Sequence, residues 1–70
     1  MITKDQIIAS FEINLLEGVV KQYEDANQVI SLEIVTKLWF DYLKICLQSK
    51  EINQHQYSTW ILPEKYKERY

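Results

Sequence analysis

Apolar residues recur at three- and four-residue spacing along most of the chain. Ile7, Ile8, Phe11, Leu15, Leu16, Val19, Val20 and Tyr23 form the first run, which predicts a helix over about residues 4–26. Thr3-Lys4-Asp5-Gln6 opens it with the spacing of a capping box, in which the Thr hydroxyl caps and the Gln amide reaches back. Asp5 also suits the positive end of the helix dipole. The run stops in Glu24-Asp25-Ala26-Asn27, and Asn27 can take the left-handed conformation that ends a helix. Gly18 falls inside, where a glycine costs up to about 1 kcal/mol relative to Ala. The reading adopted for it is close approach of another backbone.

A second run, Leu32, Val35, Leu38, Trp39, Tyr42, Leu43, Ile45 and Cys46, predicts a helix over about 32–49. Ser31 offers the N-cap, with Ile30 and Val35 spaced as a hydrophobic staple. Val29–Val35 is β-branched enough to be a short strand, but no partner strand is apparent and the helix is preferred. Asn53 with Gln56, and Ile52 with Tyr57, repeat the box and the staple, predicting a third helix over about 54–62. Pro63 either ends it or opens a final turn, Glu64–Arg69, within the tail 63–70. The expected fold is one all-α domain over 1–70, two long helices in an antiparallel hairpin plus a short C-terminal helix.

Apolar side chains outnumber what this hairpin can cover. In the second helix Glu33, Lys37, Asp41, Lys44 and Gln48 crowd into a narrow strip, leaving an apolar arc of roughly 240° where a surface helix has about 100° or somewhat more. The first helix is similar, with Glu12 isolated inside its apolar arc. An uncovered apolar face marks an interface, so a protein partner or a symmetric homodimer is expected. Trp39 and Phe40 are adjacent and point about 100° apart, so one of them faces away from the core. The interface candidates are Trp39, Phe40, Leu43, Leu47, Tyr57 and Trp60, because aromatic anchors dominate such surfaces.

Seventy residues allow one domain, which buries about 60% of its unfolded surface and is marginal alone. The composition is 47% apolar with one Gly and one Pro, which suits helices rather than linkers. A net charge of −2 argues against a general nucleic-acid or membrane-surface binder. Residues 1–30 hold most of the imbalance, with Lys4 and Lys21 against Asp5, Glu12, Glu17, Glu24 and Asp25. These acids are too sparse to mimic a phosphate backbone. With no apolar run of about 20 residues, no secretory leader pattern and a lone Cys46, the chain reads as a soluble, cytoplasmic protein. Its Ile, Gln, Tyr and Lys content fits an AT-rich or bacteriophage genome.

Little points to catalysis. Cys46 and His55 lie on different predicted helices, with no second Cys or His to complete a zinc set. Cys46 falls on an apolar arc, as an inert thiol would. The single glycine excludes a Gly-rich phosphate loop. No catalytic, cofactor or metal site is expected, and the chain does not read as an enzyme.

Residues 46–62 resemble the second half of a helix-turn-helix. Leu47, Ile52, Tyr57 and Trp60 occupy its apolar positions, and Gln54, His55, Gln56, Ser58 and Thr59 would face bases. Trp60-Ile61-Leu62-Pro63-Glu64-Lys65 is similar to the segment after the recognition helix in small phage repressors of the Cro type. That resemblance implies DNA contacts from Gln54, His55, Ser58 and Thr59, with Lys65 and Arg69 on phosphates. The chain departs from the motif at Lys50-Glu51, where a Gly is usual, at bulky Leu47, in the length of the preceding helix and in its acidity. The preferred expectation is therefore a small non-catalytic interaction protein, an inhibitor, adaptor or regulatory subunit, with DNA-binding regulation as the alternative.

Overall fold

The structure is a computed structural model, and it describes residues 2–70. Helix α1 spans residues 4–25, as α-helical Lys4–Phe11 and Glu17–Asp25 joined without a break by π-helical Glu12–Leu16. Helix α2 is Leu32–Gln48, α3 is Gln54–Thr59 and α4 is Glu64–Arg69. Among the described residues there is no strand, and residues 29–31 form a connection without regular structure. The protein is all-α, with extents of 38 × 21 × 16 Å.

The helix starts are where the capping residues stand. The Gln6 N–H donates to Thr3 Oγ1 at 3.2 Å while the Thr3 N–H donates to Gln6 Oε1 at 2.8 Å. The same reciprocal pair joins Gln56 and Asn53 at 2.8 and 2.9 Å. Ser31 accepts from the Ile34 N–H. Each cap satisfies backbone donors that the first helical turn leaves free, which is why the starts are sharp.

Two helices end alike. Asn27 and Lys50 both adopt left-handed backbone, with φ of 57° and 64°. The Gln28 N–H donates to the Tyr23 carbonyl and the Asn27 N–H to that of Glu24. After α2, the Glu51 and Lys50 N–H groups donate to the Cys46 and Leu47 carbonyls. These are Schellman endings, which satisfy the last carbonyls and turn the chain sharply.

The π turn sets the register of α1. The Glu17 N–H donates to the Glu12 carbonyl, five residues back, so one residue is inserted into the helical repeat. The fully inward residues are Ile7, Phe11 and Leu16, spaced four and then five apart. Without the insertion the stripe would continue through Leu15. Leu15, Val19 and Val20 pack at its margins instead.

Trp39 is the largest wholly buried side chain. Phe11 meets it edge-to-face, with centroids 5.3 Å apart and planes at 84°. Val35, Leu43 and Cys46 complete the inner face of α2, while Ile30 and Ile52 bury the two connections. Leu62 and Tyr66 close the far side, with the Tyr66 ring 6.0 Å from that of Phe11. Phe11 thus touches both α2 and α4.

The third helix is shorter than the expected 54–62. Residue 62 precedes Pro63, which disfavours helical backbone there, and the Trp60 carbonyl accepts from Trp39 Nε1–H at 3.1 Å. Pro63 instead stands as the N-terminal flanking residue of α4.

Gly18 corrects another expectation. A Cβ placed on it would meet nothing within 4 Å, so no backbone of this chain packs there. Gly18→Ala is therefore expected to stabilise the protein by about 0.5–1 kcal/mol, through helix propensity and reduced unfolded-state entropy. A urea midpoint that falls in this variant would show an unseen constraint at the position.

Candidate interaction surfaces

The structure decides between the two adjacent aromatics of α2. Trp39 is fully inside and Phe40 is 37% exposed. Leu43 is also wholly buried, so neither it nor Trp39 offers surface to a partner. Leu47, Tyr57 and Trp60 are half-buried and packed against the core. At helical spacing Phe40 and Leu47 share one flank of α2, seven residues and two turns apart. Ile34, Leu38 and Ile45 share the other, with Ile45 exposed. Ile13, Val29 and Ile61 are further exposed apolar side chains that the sequence reading did not single out.

The residues named for DNA contact fall into two groups. Gln54, His55, Ser58 and Thr59 are all exposed on α3. Ser58 Oγ–H donates to the Gln54 carbonyl at 2.9 Å and Thr59 Oγ1–H to that of His55 at 2.8 Å, so both hydroxyls serve their own helix. At 1.5 Å per residue, α3 is only about 9 Å long. Lys65 and Arg69 belong to α4 instead, and Lys65 reaches α1. Lys65 Nζ pairs with the Glu12 carboxylate, and the Arg69 guanidinium lies 5.6 Å from the Tyr70 ring centre.

Glu12 is the hub of this second region. The π turn presents its carboxylate to α4, where Oε1 accepts from Tyr66 Oη–H at 2.7 Å as well as pairing with Lys65. The one acid set within the apolar arc of α1 is thereby matched. Lys65, and then the Tyr66 hydroxyl, hold the Glu12 carboxyl below its ordinary value of 4.5. Burial, together with the Glu12 carboxylate, pushes the Tyr66 hydroxyl upward.

A lowered folded-state value has a definite linkage sign. The unfolded chain binds the proton first, so Glu12's contribution is present above pH 4.5 and is lost as pH falls through the lower folded value. Glu12→Gln should therefore reduce the loss of stability between pH 7 and pH 3, read from urea midpoints. Parallel losses in wild type and variant would show that Glu12 gains nothing from its partners.

Beside the Glu12 clasp a groove runs between α1 and α4, with a volume of about 410 Å³. Leu16, Val20 and Tyr70 supply its apolar lining, and Glu17, Lys21, Glu24, Asp25 and Arg69 its charged lining. A second recess of about 370 Å³ shares Val20, Glu24, Arg69 and Tyr70 and extends to Val29 and Ile30. No protein-family model, characterised protein or solved structure matches this chain.

Cys46 and His55 remain apart in character. Cys46 is buried, and burial with the nearby Glu51 carboxylate pushes its thiol up to about 11, which keeps it protonated and unreactive. His55 is exposed. Among the described residues no three His, Cys, Asp or Glu side chains converge as metal ligands, and no helix is long and apolar enough to cross a membrane.

Proposed function

We propose that this is a small non-catalytic interaction protein that binds another protein, as an inhibitor, adaptor or regulatory subunit, through the Phe40–Leu47 flank of α2. The observation that carries this reading is the division of labour between neighbours: Trp39 fills the core while Phe40 stands at the surface. A partly exposed aromatic beside a half-buried Leu has the make-up of an anchor surrounded by packing contacts. The reading takes the two long helices as an antiparallel hairpin, supported by the short connection and by Phe11 meeting both Trp39 and Tyr42. It places the protein in the cytoplasm, in keeping with a single buried thiol.

DNA binding keeps one supporting observation, the left-handed backbone of Lys50, which occupies the place where the helix-turn-helix usually has Gly. Against it, Lys65 already pairs with Glu12 and the chain carries a net charge of −2. Affinity capture from the encoding cells discriminates the two. The wild-type chain should recover a protein that Phe40→Asp releases and His55→Ala retains, with a loss of about 30-fold or more in affinity. Recovery of duplex DNA in place of protein, or a protein indifferent to Phe40→Asp, would sink the reading.

A further inference from the structure

We propose that the groove between α1 and α4, with Val29 at its end, is the contact surface of a symmetric dimer of this chain. This surface does not include Phe40 or Leu47, so the proposal stands independently of the partner-binding reading.

Three features of the groove select a second copy as its occupant. The first is shape. Val29 is 92% exposed, an extreme value for a β-branched apolar side chain, and it borders the recess lined by Val20, Ile30 and Tyr70. The recess also carries Glu24, Gln28 and Arg69, so it is of mixed lining. A knob beside a recess on one patch suits a two-fold interface, because each copy then supplies the knob for the other.

The second is charge. Among the described residues, Glu17, Glu24 and Asp25 have no Lys or Arg within 4.0 Å, and Lys21 and Arg69 have no carboxylate within that distance. Both signs therefore stand unpaired along one groove. A basic partner would meet Lys21 and Arg69, and an acidic one would meet the three carboxylates. A copy rotated by a two-fold axis sets Arg69 against the acidic end of α1 and that end against Arg69, so both signs are matched.

The third is rigidity. The buried Tyr66 ring packs on Phe11 and its hydroxyl donates to Glu12 on the π turn, so α4 and α1 are held together as the two walls of the groove.

The isologous geometry makes a crossed charge exchange decisive. Sedimentation velocity on the full chain at about 100 μM should show a dimer. Val29→Asp, Arg69→Glu and the pair Glu24→Arg/Asp25→Arg all lie at exposed positions and should each give a helical monomer, with dimerisation weakened about tenfold or more. An equimolar mixture of the Arg69→Glu chain with the Glu24→Arg/Asp25→Arg chain should form a heterodimer, because both crossed contacts become attractive. Three results overturn the proposal: a monomeric wild type, a dimer that survives Val29→Asp and Arg69→Glu, or a mixture that stays monomeric. None of these alters the Phe40→Asp result, which tests the other surface.

Discussion

Trp39→Ala is expected to leave the chain largely unfolded at room temperature. Truncating a buried Trp to Ala typically costs about 3–5 kcal/mol, and Trp39 is the largest of the wholly buried side chains. The deletion also removes the edge-to-face partner of Phe11 and the donor to the Trp60 carbonyl. That last contact joins residues 21 apart and holds the chain where it leaves α3. A domain this small sits toward the low end of the usual range of about 5–15 kcal/mol, so the loss consumes most of the available stability. Far-ultraviolet circular dichroism should show reduced helix, without a cooperative melt.

Trp39→Phe separates the two contributions. It keeps most of the aromatic volume and removes the indole N–H, so the Trp60 carbonyl loses its partner at a cost of about 1–3 kcal/mol. A cooperative transition at lower temperature is expected. If Trp39→Ala melted cooperatively within a few degrees of wild type, the core could not be organised around this residue.

The helix starts were legible because their devices are local. Thr3-Gln6, Ser31 and Asn53-Gln56 act within three residues, and the structure contains each of these bonds. Asn27 and its left-handed ending were legible for the same reason. Three features were not. The π turn hides behind the doublets Leu15-Leu16 and Val19-Val20, which place an apolar residue inward in either register. The early end of α3 depends on Trp39 taking the Trp60 carbonyl, a contact across the fold. Periodicity shows that Trp39 and Phe40 diverge; the tertiary contacts that fix Trp39 inside, the Phe11 ring and the Trp60 carbonyl, lie far away in the chain.

Glu12 gave a readable signal without a readable partner. An acid among apolar positions implies a tertiary contact, because burying an unmatched carboxylate is costly. Its partners, Lys65 and Tyr66, lie more than fifty residues away in the chain. They also sit in the basic, aromatic tail, whose pattern resembles a phosphate-binding segment when read alone. The same Lys65 serves either reading, and only the fold shows that α1 holds it.

Tyr66→Ala carries the second large effect, and it tests whether α4 is part of the core or an attachment to it. The Tyr66 ring is buried, 6.0 Å from Phe11 and 6.3 Å from Tyr70, and its hydroxyl donates to Glu12. By analogy with other buried aromatics the truncation should cost about 3–5 kcal/mol. Tyr66→Phe keeps the ring and loses only the hydrogen bond, for about 1–3 kcal/mol given the charged acceptor. Lys65→Ala should cost under about 1 kcal/mol, since that ion pair is largely exposed to water. The order Tyr66→Ala, then Tyr66→Phe, then Lys65→Ala in urea midpoints would show that ring burial, rather than charge, holds α4 in place. Because Phe11 packs on Tyr66 and Trp39 alike, the Tyr66→Ala transition should stay single, with amide exchange accelerated in α1 and α2 as well as α4. Faster exchange confined to α4 would instead show that the helix detaches alone and that the groove it walls can open without unfolding the rest.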